Sequence, residues 1–197
     1  DQLPDAKARA DARPKRTFDD PETLTLDERC LMGVNYSSSS ATPPLVPNPF
    51  GQNLYQIIQT PDRVVIHSEL MHEARVIRIN GTHLPPSMRQ WAGDSIGHWE
   101  GSTLIVDTTN FRRETHYRNS GERMHVVERF TRMSPERIRY QVTVEDPDTW
   151  ATPWTADIPF KATDKRIFEY ACQEGSLTVE NFMRGGREGE RRGVKPR

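Results

Sequence analysis

The sequence predicts an all-β fold, an antiparallel meander that closes into a lipocalin-like β-barrel. Short apolar runs recur along the chain and are separated by turn dipeptides such as Pro61-Asp62, Asn80-Gly81 and Gly101-Ser102. Apolar and polar residues alternate strictly over 138–145, which is the period of a half-buried strand. Helical periodicity is almost absent. A meander removes its exposed edges by closing into a barrel or, as the alternative, by folding into a two-sheet β-sandwich or jelly roll.

The runs on either side of each turn dipeptide predict hairpins. The most regular alternation, over 138–145, is repeated over 154–162. In chain order, the predicted strands are 54–60, 63–68, 74–79, 98–100, 103–111, 124–132, 137–146, 154–162 and 167–172.

The segments outside these strands divide the chain into an arm, one domain and a tail. Residues 1–30 are rich in charges of both signs and predict a surface arm, with room for one helical turn at 5–12. Residues 31–183 form the predicted β-barrel-like domain, which includes a long loop of serines and prolines at 35–50. Residues 184–197 are basic and glycine-rich and predict a flexible tail.

Composition narrows the possible partners. The 27 Lys and Arg residues nearly balance the 28 Asp and Glu residues, which leaves a net charge of −1 and argues against a nucleic-acid-binding protein. No apolar run approaches the roughly 18–20 residues that a spanning helix needs, so we expect no membrane insertion. The expected partner is a small-molecule substrate or ligand.

The two cysteines, Cys30 and Cys172, lack the C-x-x-C spacing of zinc and thioredoxin-type motifs. They are either one long-range disulfide in an oxidising compartment or two buried thiols. The chain begins at Asp1 rather than Met, as expected for a trimmed, exported protein, and this favours the disulfide.

One long motif gives the chain a family resemblance. The segment 91–111, WAGDSIGHWEGSTLIVDTTNF, resembles the pattern WxGDSxGxWEGxTLxVxTxNF of a large family of uncharacterised, mostly secreted bacterial proteins. The resemblance extends over about 27–183 and departs from the family at Gln173, where a histidine is expected. It implies a periplasmic or secreted location and makes a Cys30–Cys172 disulfide plausible. It implies no particular reaction.

The segment 93–97 matches G-x-S-x-G, the nucleophile elbow of α/β-hydrolases. That elbow requires a strand-to-helix turn, whereas here a strand and a tight turn follow and no βαβ alternation exists. We therefore predict a glycine-rich turn between strands rather than a serine nucleophile.

Charged residues interrupt several apolar strands. If they converge on one partly dry pocket, carboxylates beside imidazoles would supply general acid–base chemistry, and arginines would hold an anionic substrate group. Taken singly, each is more often a member of a structural ion pair. The acid–base candidates are His72, His125, Glu69, Asp107, Glu128 and Tyr140, and the substrate-binding arginines are Arg75 and Arg129. The leading hypothesis is thus a cofactor-independent lyase, isomerase or hydrolase.

The aromatic residues support an alternative from another class. Trp91, Trp99 and Trp154 are candidates to line an apolar pocket, although ordinary core and hairpin packing is the commoner role of each taken singly. A pocket of this kind would make the protein a periplasmic carrier for an apolar or aromatic molecule. The two hypotheses differ in whether the mid-strand charges face inward together.

The six histidines raise a third hypothesis, a metalloenzyme. His72 and His125 with Glu69 would make a site of two histidines and a carboxylate. No spacing forms a metal signature such as H-E-x-x-H, so no cofactor is favoured.

Overall fold

In the computed structural model, eight strands form one sheet whose spatial order follows the chain. The structure describes residues 1–12, 20–32, 54–115, 117–175 and 177–193. The predicted loop at 35–50 lies outside these residues. The strands are β1 (Tyr55–Gln59), β2 (Arg63–Ser68), β3 (Ala74–Ile79), β4 (Asp94–Glu100), β5 (Thr103–Thr109), β6 (His125–Ser134), β7 (Arg137–Glu145) and β8 (Trp154–Lys161).

The sheet curls into a half-barrel, which confirms the all-β, barrel-like prediction. Every second side chain of a strand points to the same face of the sheet. Here the set that points to the concave face is apolar and forms the core. Ile77, Val106, Tyr140 and Val142 are fully buried there. Aromatic rings bring the two edge strands together: Tyr55 of β1 stacks on Phe160 of β8, with 5.7 Å between the ring centroids.

The connection between β3 and β4 differs from the predicted meander. These two strands pair in parallel, with Ile77 opposite Ser95, whereas all other neighbours are antiparallel. A parallel pair needs a crossover of about a dozen residues or more, and the 80–93 segment supplies it. The Asn80-Gly81 turn therefore opens a crossover rather than a hairpin.

The N-terminal arm is attached to the sheet domain. Helix α1 (Pro4–Asp11) covers the segment in which one helical turn was predicted. The Leu3 amide donates to the carbonyl of Thr149 at 2.8 Å, and Ala6 is buried. The first residues of the arm thus pack on the loop that follows β7.

The C-terminal part differs from the sequence prediction in two places. The predicted strand at 167–172 is wrong, since these residues join no ladder. The predicted tail at 184–197 begins inside helix α2 (Thr178–Arg191). Ion pairs one helical turn apart, Glu180 with Arg184 and Glu188 with Arg192, favour this helix despite its glycines. Within the described ranges, no helix is long and apolar enough to cross a membrane.

Cys30 and Cys172 form a disulfide, with 5.7 Å between their Cα atoms. The bridge joins the segment before the sheet to the segment after β8. The predicted pairing is confirmed.

Replacing both cysteines by serine is expected to lower the free energy of unfolding by about 4–5 kcal/mol, because the bridge constrains a very long loop in the unfolded chain. Equilibrium urea denaturation of the double variant and of the oxidised protein measures the difference. The reduced wild-type protein is the control and should match the variant. Equal unfolding midpoints for the oxidised and reduced forms would contradict the expectation.

Candidate functional site

The structure places the predicted site residues in separate parts of the fold. Arg75, Glu128 and Tyr140 meet inside the curled sheet. Asp107 and His125 meet on its outer face. The remaining candidates lie at the β2–β3 connection, on the outer surface, at the mouth of the sheet or, for Trp154, against the core. The structure therefore does not bring them together in one polar pocket.

The interior group is closed to solvent. Arg75 Nη2 lies 2.7 Å from Glu128 Oε2, and the Tyr140 hydroxyl donates to Glu128 Oε1 at 2.8 Å. The ion pair is a close contact rather than an aligned hydrogen bond. The side chains of Arg75 and Glu128 are 4% and 0% exposed. Burial, followed by the negative charge of Glu128, raises the pKa of Tyr140 well above its ordinary value, so the phenol stays a donor. A substrate does not reach these groups.

Glu69 and His72 anchor the C-terminal segment instead of facing a substrate. Glu69 Oε1 accepts a hydrogen bond from the Phe168 amide at 3.2 Å, and His72 Nε2 accepts one from the Tyr170 amide at 2.7 Å. Because Nε2 is the acceptor, the proton of the neutral ring is on Nδ1. Both residues therefore hold the segment that follows β8.

Four side chains on the convex side of the sheet form what we call the outer-face network: His83, Asp94, Asp107 and His125. Both carboxylate oxygens of Asp107 lie 3.1 Å from His125 Nε2, and Oδ1 is also 3.0 Å from His83 Nε2. The other ring nitrogen of His83 lies 2.9 Å from Asp94 Oδ2. His83 therefore bridges two carboxylates, one on β4 and one on β5.

The alternation of side chains along β5 and β6 explains why this network is on the outer face of the sheet. Val106 and Thr108 point into the core, so Asp107 between them points outward and its side chain is 39% exposed. His125 of β6 also points outward, because the next residue, Val126, is buried in the core. The His125 side chain is 35% exposed, and its Nδ1 lies 3.8 Å from Glu145 on β7.

The charges of the network shift its pKa values. The hydrogen bond to Asp107 raises the pKa of His125 above the ordinary 6.5, and the same bond lowers the pKa of Asp107. Burial alone would raise the pKa of Asp94, but the Leu84 amide, His83 and Arg78 outweigh it and lower that pKa. The Asp107–His125 pair thus stabilises the fold most at pH values between the ordinary pKa of a carboxyl group and that of an imidazole. This stabilisation is lost as the pH falls through the pKa of Asp107 or rises through that of His125.

The network also explains how the crossover is held. Asp94 Oδ2 accepts a hydrogen bond from the Leu84 amide at 2.8 Å, and Asn110 Nδ2 donates to the Leu84 carbonyl at 2.8 Å. The sequence interpretation missed the roles of His83 and Asp94. No periodic signal could relate His83 to Asp107, because their contact depends on the path of the crossover.

The remaining predicted residues have separate surroundings. Arg129 is exposed on the outer face and pairs with Glu100 at 3.1 Å. Trp91 is stacked by Arg112 at 4.3 Å from its ring centroid. Trp154 packs against Tyr117 in the core, with 6.0 Å between the ring centroids. Each of the three residues thus contacts another side chain of the protein.

Ser95 of the G-x-S-x-G pattern is also structural. It lies within β4 and is 3% exposed, and its hydroxyl is 2.9 Å from that of Thr108. A buried strand position of this kind is not a nucleophile elbow.

A cavity of about 540 Å³ opens on the concave face of the sheet, at the end where the β1–β2, β4–β5 and β6–β7 turns lie. This volume is in the range of small-molecule sites. Its polar lining residues are Gln59, Ser102 and Arg132. Most of its wall is apolar and comes from Ile57, Val64, Ile66, Trp99, Leu104, Phe130 and Ile138. We call this space the concave cavity.

The residues of the predicted metal set are not neighbours. His72 and Glu69 contact the 168–170 segment, whereas His125 contacts Asp107. In the part of the chain that the structure describes, no group of three or more His, Cys, Asp or Glu residues is arranged to hold a metal ion.

Comparisons with protein-family models, with curated proteins and with solved structures find no match. The family resemblance of the 91–111 motif therefore stays a prediction from the sequence.

Replacing Glu128 by Gln is expected to lower the free energy of unfolding by about 3–5 kcal/mol, because Arg75 would stay buried without its counter-charge. Arg129→Gln is the matched control: it changes the next residue, which is exposed, and should cost no more than about 0.5 kcal/mol. Urea denaturation measures both. Similar small losses in the two variants would show that the buried pair does not hold the fold.

The histidine titration followed by NMR should give a midpoint above 6.5 for His125. Asp107→Asn is expected to lower that midpoint, because it removes the hydrogen-bonded carboxylate. Asp157→Asn is the control, since it removes the same charge from β8, where Asp157 pairs with Arg139. A midpoint that does not move in Asp107→Asn, or moves equally in both variants, would contradict the described contact.

Proposed function

We propose that the protein binds a small apolar or aromatic molecule in the concave cavity. The observation that carries this proposal is the cavity itself, which is open to solvent, apolar over most of its wall and large enough for such a ligand. Trp99 is 43% exposed there, although a large aromatic side chain gains free energy by burial. A ligand would cover the exposed ring.

The floor of the cavity supports binding rather than catalysis at this place. Phe130 lines the cavity and packs on Tyr140, with 4.9 Å between the ring centroids. Behind these rings, Glu128 and Arg75 neutralise each other. A ligand on Phe130 would therefore meet apolar surface, and the groups needed for acid–base chemistry would remain out of its reach.

Acid–base catalysis on a small organic substrate is the second candidate, and the Asp107–His125 pair is the observation that favours it. The pair is partly exposed, and its carboxylate orients an imidazole of raised pKa, as in many acid–base sites. Here the site would be the outer-face network instead of a barrel interior.

Loss of hydrolysis of p-nitrophenyl esters in His125→Gln, with full activity in the matched outer-face variant His98→Gln, would favour this candidate. Equal rates in both would count against it.

We also propose that the protein works in the periplasm or is secreted. The Cys30–Cys172 disulfide supports this location, because such bridges persist in oxidising compartments. Thiol labelling of the protein taken directly from its native cells should find no free cysteine. Two labelled thiols would contradict the proposal.

The uncharged fluorophore N-phenyl-1-naphthylamine tests the binding function directly. We expect its fluorescence to rise on binding to the wild-type protein. Trp99→Ala should weaken the affinity about five- to tenfold, because one aromatic wall is lost.

Trp91→Ala is the matched control, since Trp91 has a similar exposure of 38% but contacts Arg112 on the outer surface. Its affinity should equal that of the wild-type protein. The proposal fails if the wild-type protein does not bind the fluorophore, or if the two tryptophan variants weaken binding equally.

A further inference from the structure

We propose that the ligand of the concave cavity is amphipathic and anionic: an apolar chain or ring carrying one carboxylate, which pairs with Arg132 at the mouth. This inference rests on the proposed binding function and names the class of ligand. Two observations support the inference: Arg132 lies at the mouth of the cavity, and its charge has no carboxylate partner among the described residues.

Strand phase places Arg132 at the outer end of the apolar wall. Along β6, Glu128, Phe130 and Arg132 share the concave face, and their exposure increases in that order. Arg132 pairs in register with Ile138 of β7, which also lines the cavity. The guanidinium therefore lies where an apolar wall meets solvent.

The charge of Arg132 is not neutralised by the protein. Its Nη2 donates to the carbonyl of Pro135 at 3.3 Å, and among the described residues no carboxylate contacts it. Five other arginines of the strands do pair with a carboxylate: Arg63, Arg75, Arg78, Arg129 and Arg139. Arg132 thus keeps most of its five N–H donors for another acceptor.

The rest of the lining complements an anion. Gln59 and Ser102 are the other polar residues of the cavity, and each carries a hydrogen-bond donor in its side chain. The Arg132 amide donates to the Ser102 carbonyl at 3.3 Å, so the two residues are adjacent at the mouth. No Asp or Glu belongs to the described lining, so nothing there would repel a carboxylate.

The shape of the guanidinium favours a carboxylate head. Arginine presents parallel N–H groups that match both oxygens of a carboxylate, and this contact is stronger than one between neutral groups. The apolar part of the ligand would lie across the sheet, over Phe130 and Leu104 toward Trp99. A neutral ligand would use the same wall but would leave the guanidinium unpaired.

The test compares two probes with the same chain, decanoate and 1-decanol, at pH 7.5 and below the concentration at which either aggregates. Displacement of N-phenyl-1-naphthylamine measures both affinities. We expect decanoate to bind at least about tenfold more tightly than decanol, as a charge-assisted hydrogen bond at a partly exposed site would give. The preference should decrease as salt is added.

Arg132→Gln should abolish this preference, so that decanoate and decanol bind with equal affinity, because the guanidinium that pairs with the carboxylate is lost. Arg137→Gln is the matched control, because Arg137 lies in the same hairpin, is exposed and is not part of the cavity lining. Its preference for decanoate should equal that of the wild-type protein.

The outcomes separate this inference from the proposed function. If decanol and the fluorophore bind but decanoate is not preferred, the inference is wrong and the binding function stands. The inference is also wrong if Arg137→Gln loses the preference as fully as Arg132→Gln, because surface charge in general would then be its cause. If none of the three probes binds the wild-type protein, both proposals fail.

Discussion

The buried contact between Arg75 and Glu128 is the constraint on which the rest of the fold depends. Arg75 is on β3 and Glu128 is on β6, and the sheet has two strands between them. In a flat sheet, neighbouring strands are about 4.8 Å apart, so the two backbones would be separated by about 14 Å. A contact of 2.7 Å between the side chains is favoured when the sheet curls and turns both residues toward the same interior.

This constraint also decides where the cavity lies. The Tyr140 hydroxyl donates a hydrogen bond to the carboxylate of Glu128. The Tyr140 ring packs against Phe130 and Phe160, with centroid distances of 4.9 and 5.0 Å. These rings fill the middle of the concave face and leave its turn end open. A polar cluster that no substrate reaches therefore acts on the cavity indirectly, by fixing the aromatic floor on which a ligand would lie.

The two faces of the sheet use charged residues in opposite ways. Inside, one arginine and one glutamate are almost completely buried and balance each other. Outside, the outer-face network is partly exposed and attaches the 80–93 crossover to β4 and β5. A parallel strand pair has no tight turn to fix its register, so contacts made by the crossover itself take over that task.

The sequence was sufficient to predict most strands, because alternation and turn dipeptides are local signals. The disulfide has no such signal, and the family resemblance favoured it over two free thiols. It was not sufficient to predict the faces of the charged residues. Glu128 and Arg129 are adjacent and equally charged in magnitude, yet one is in the core and the other in solvent. The predicted single pocket failed for this reason. The contacts of His83 and the parallel pairing of β3 with β4 depend on the course of the 80–93 crossover, which local sequence patterns do not predict.

The position of the disulfide has a topological consequence. Cys30 precedes β1 and Cys172 follows β8, so the bridge turns the whole sheet into one covalent ring. A protease that cuts any single peptide bond between these residues opens the ring without separating the pieces. All eight strands stay in one molecule, and the cut ends remain tethered while the hydrogen-bonded ladder holds the sheet together. In a protease-rich environment, such a ring tolerates a first cut that would divide an open chain.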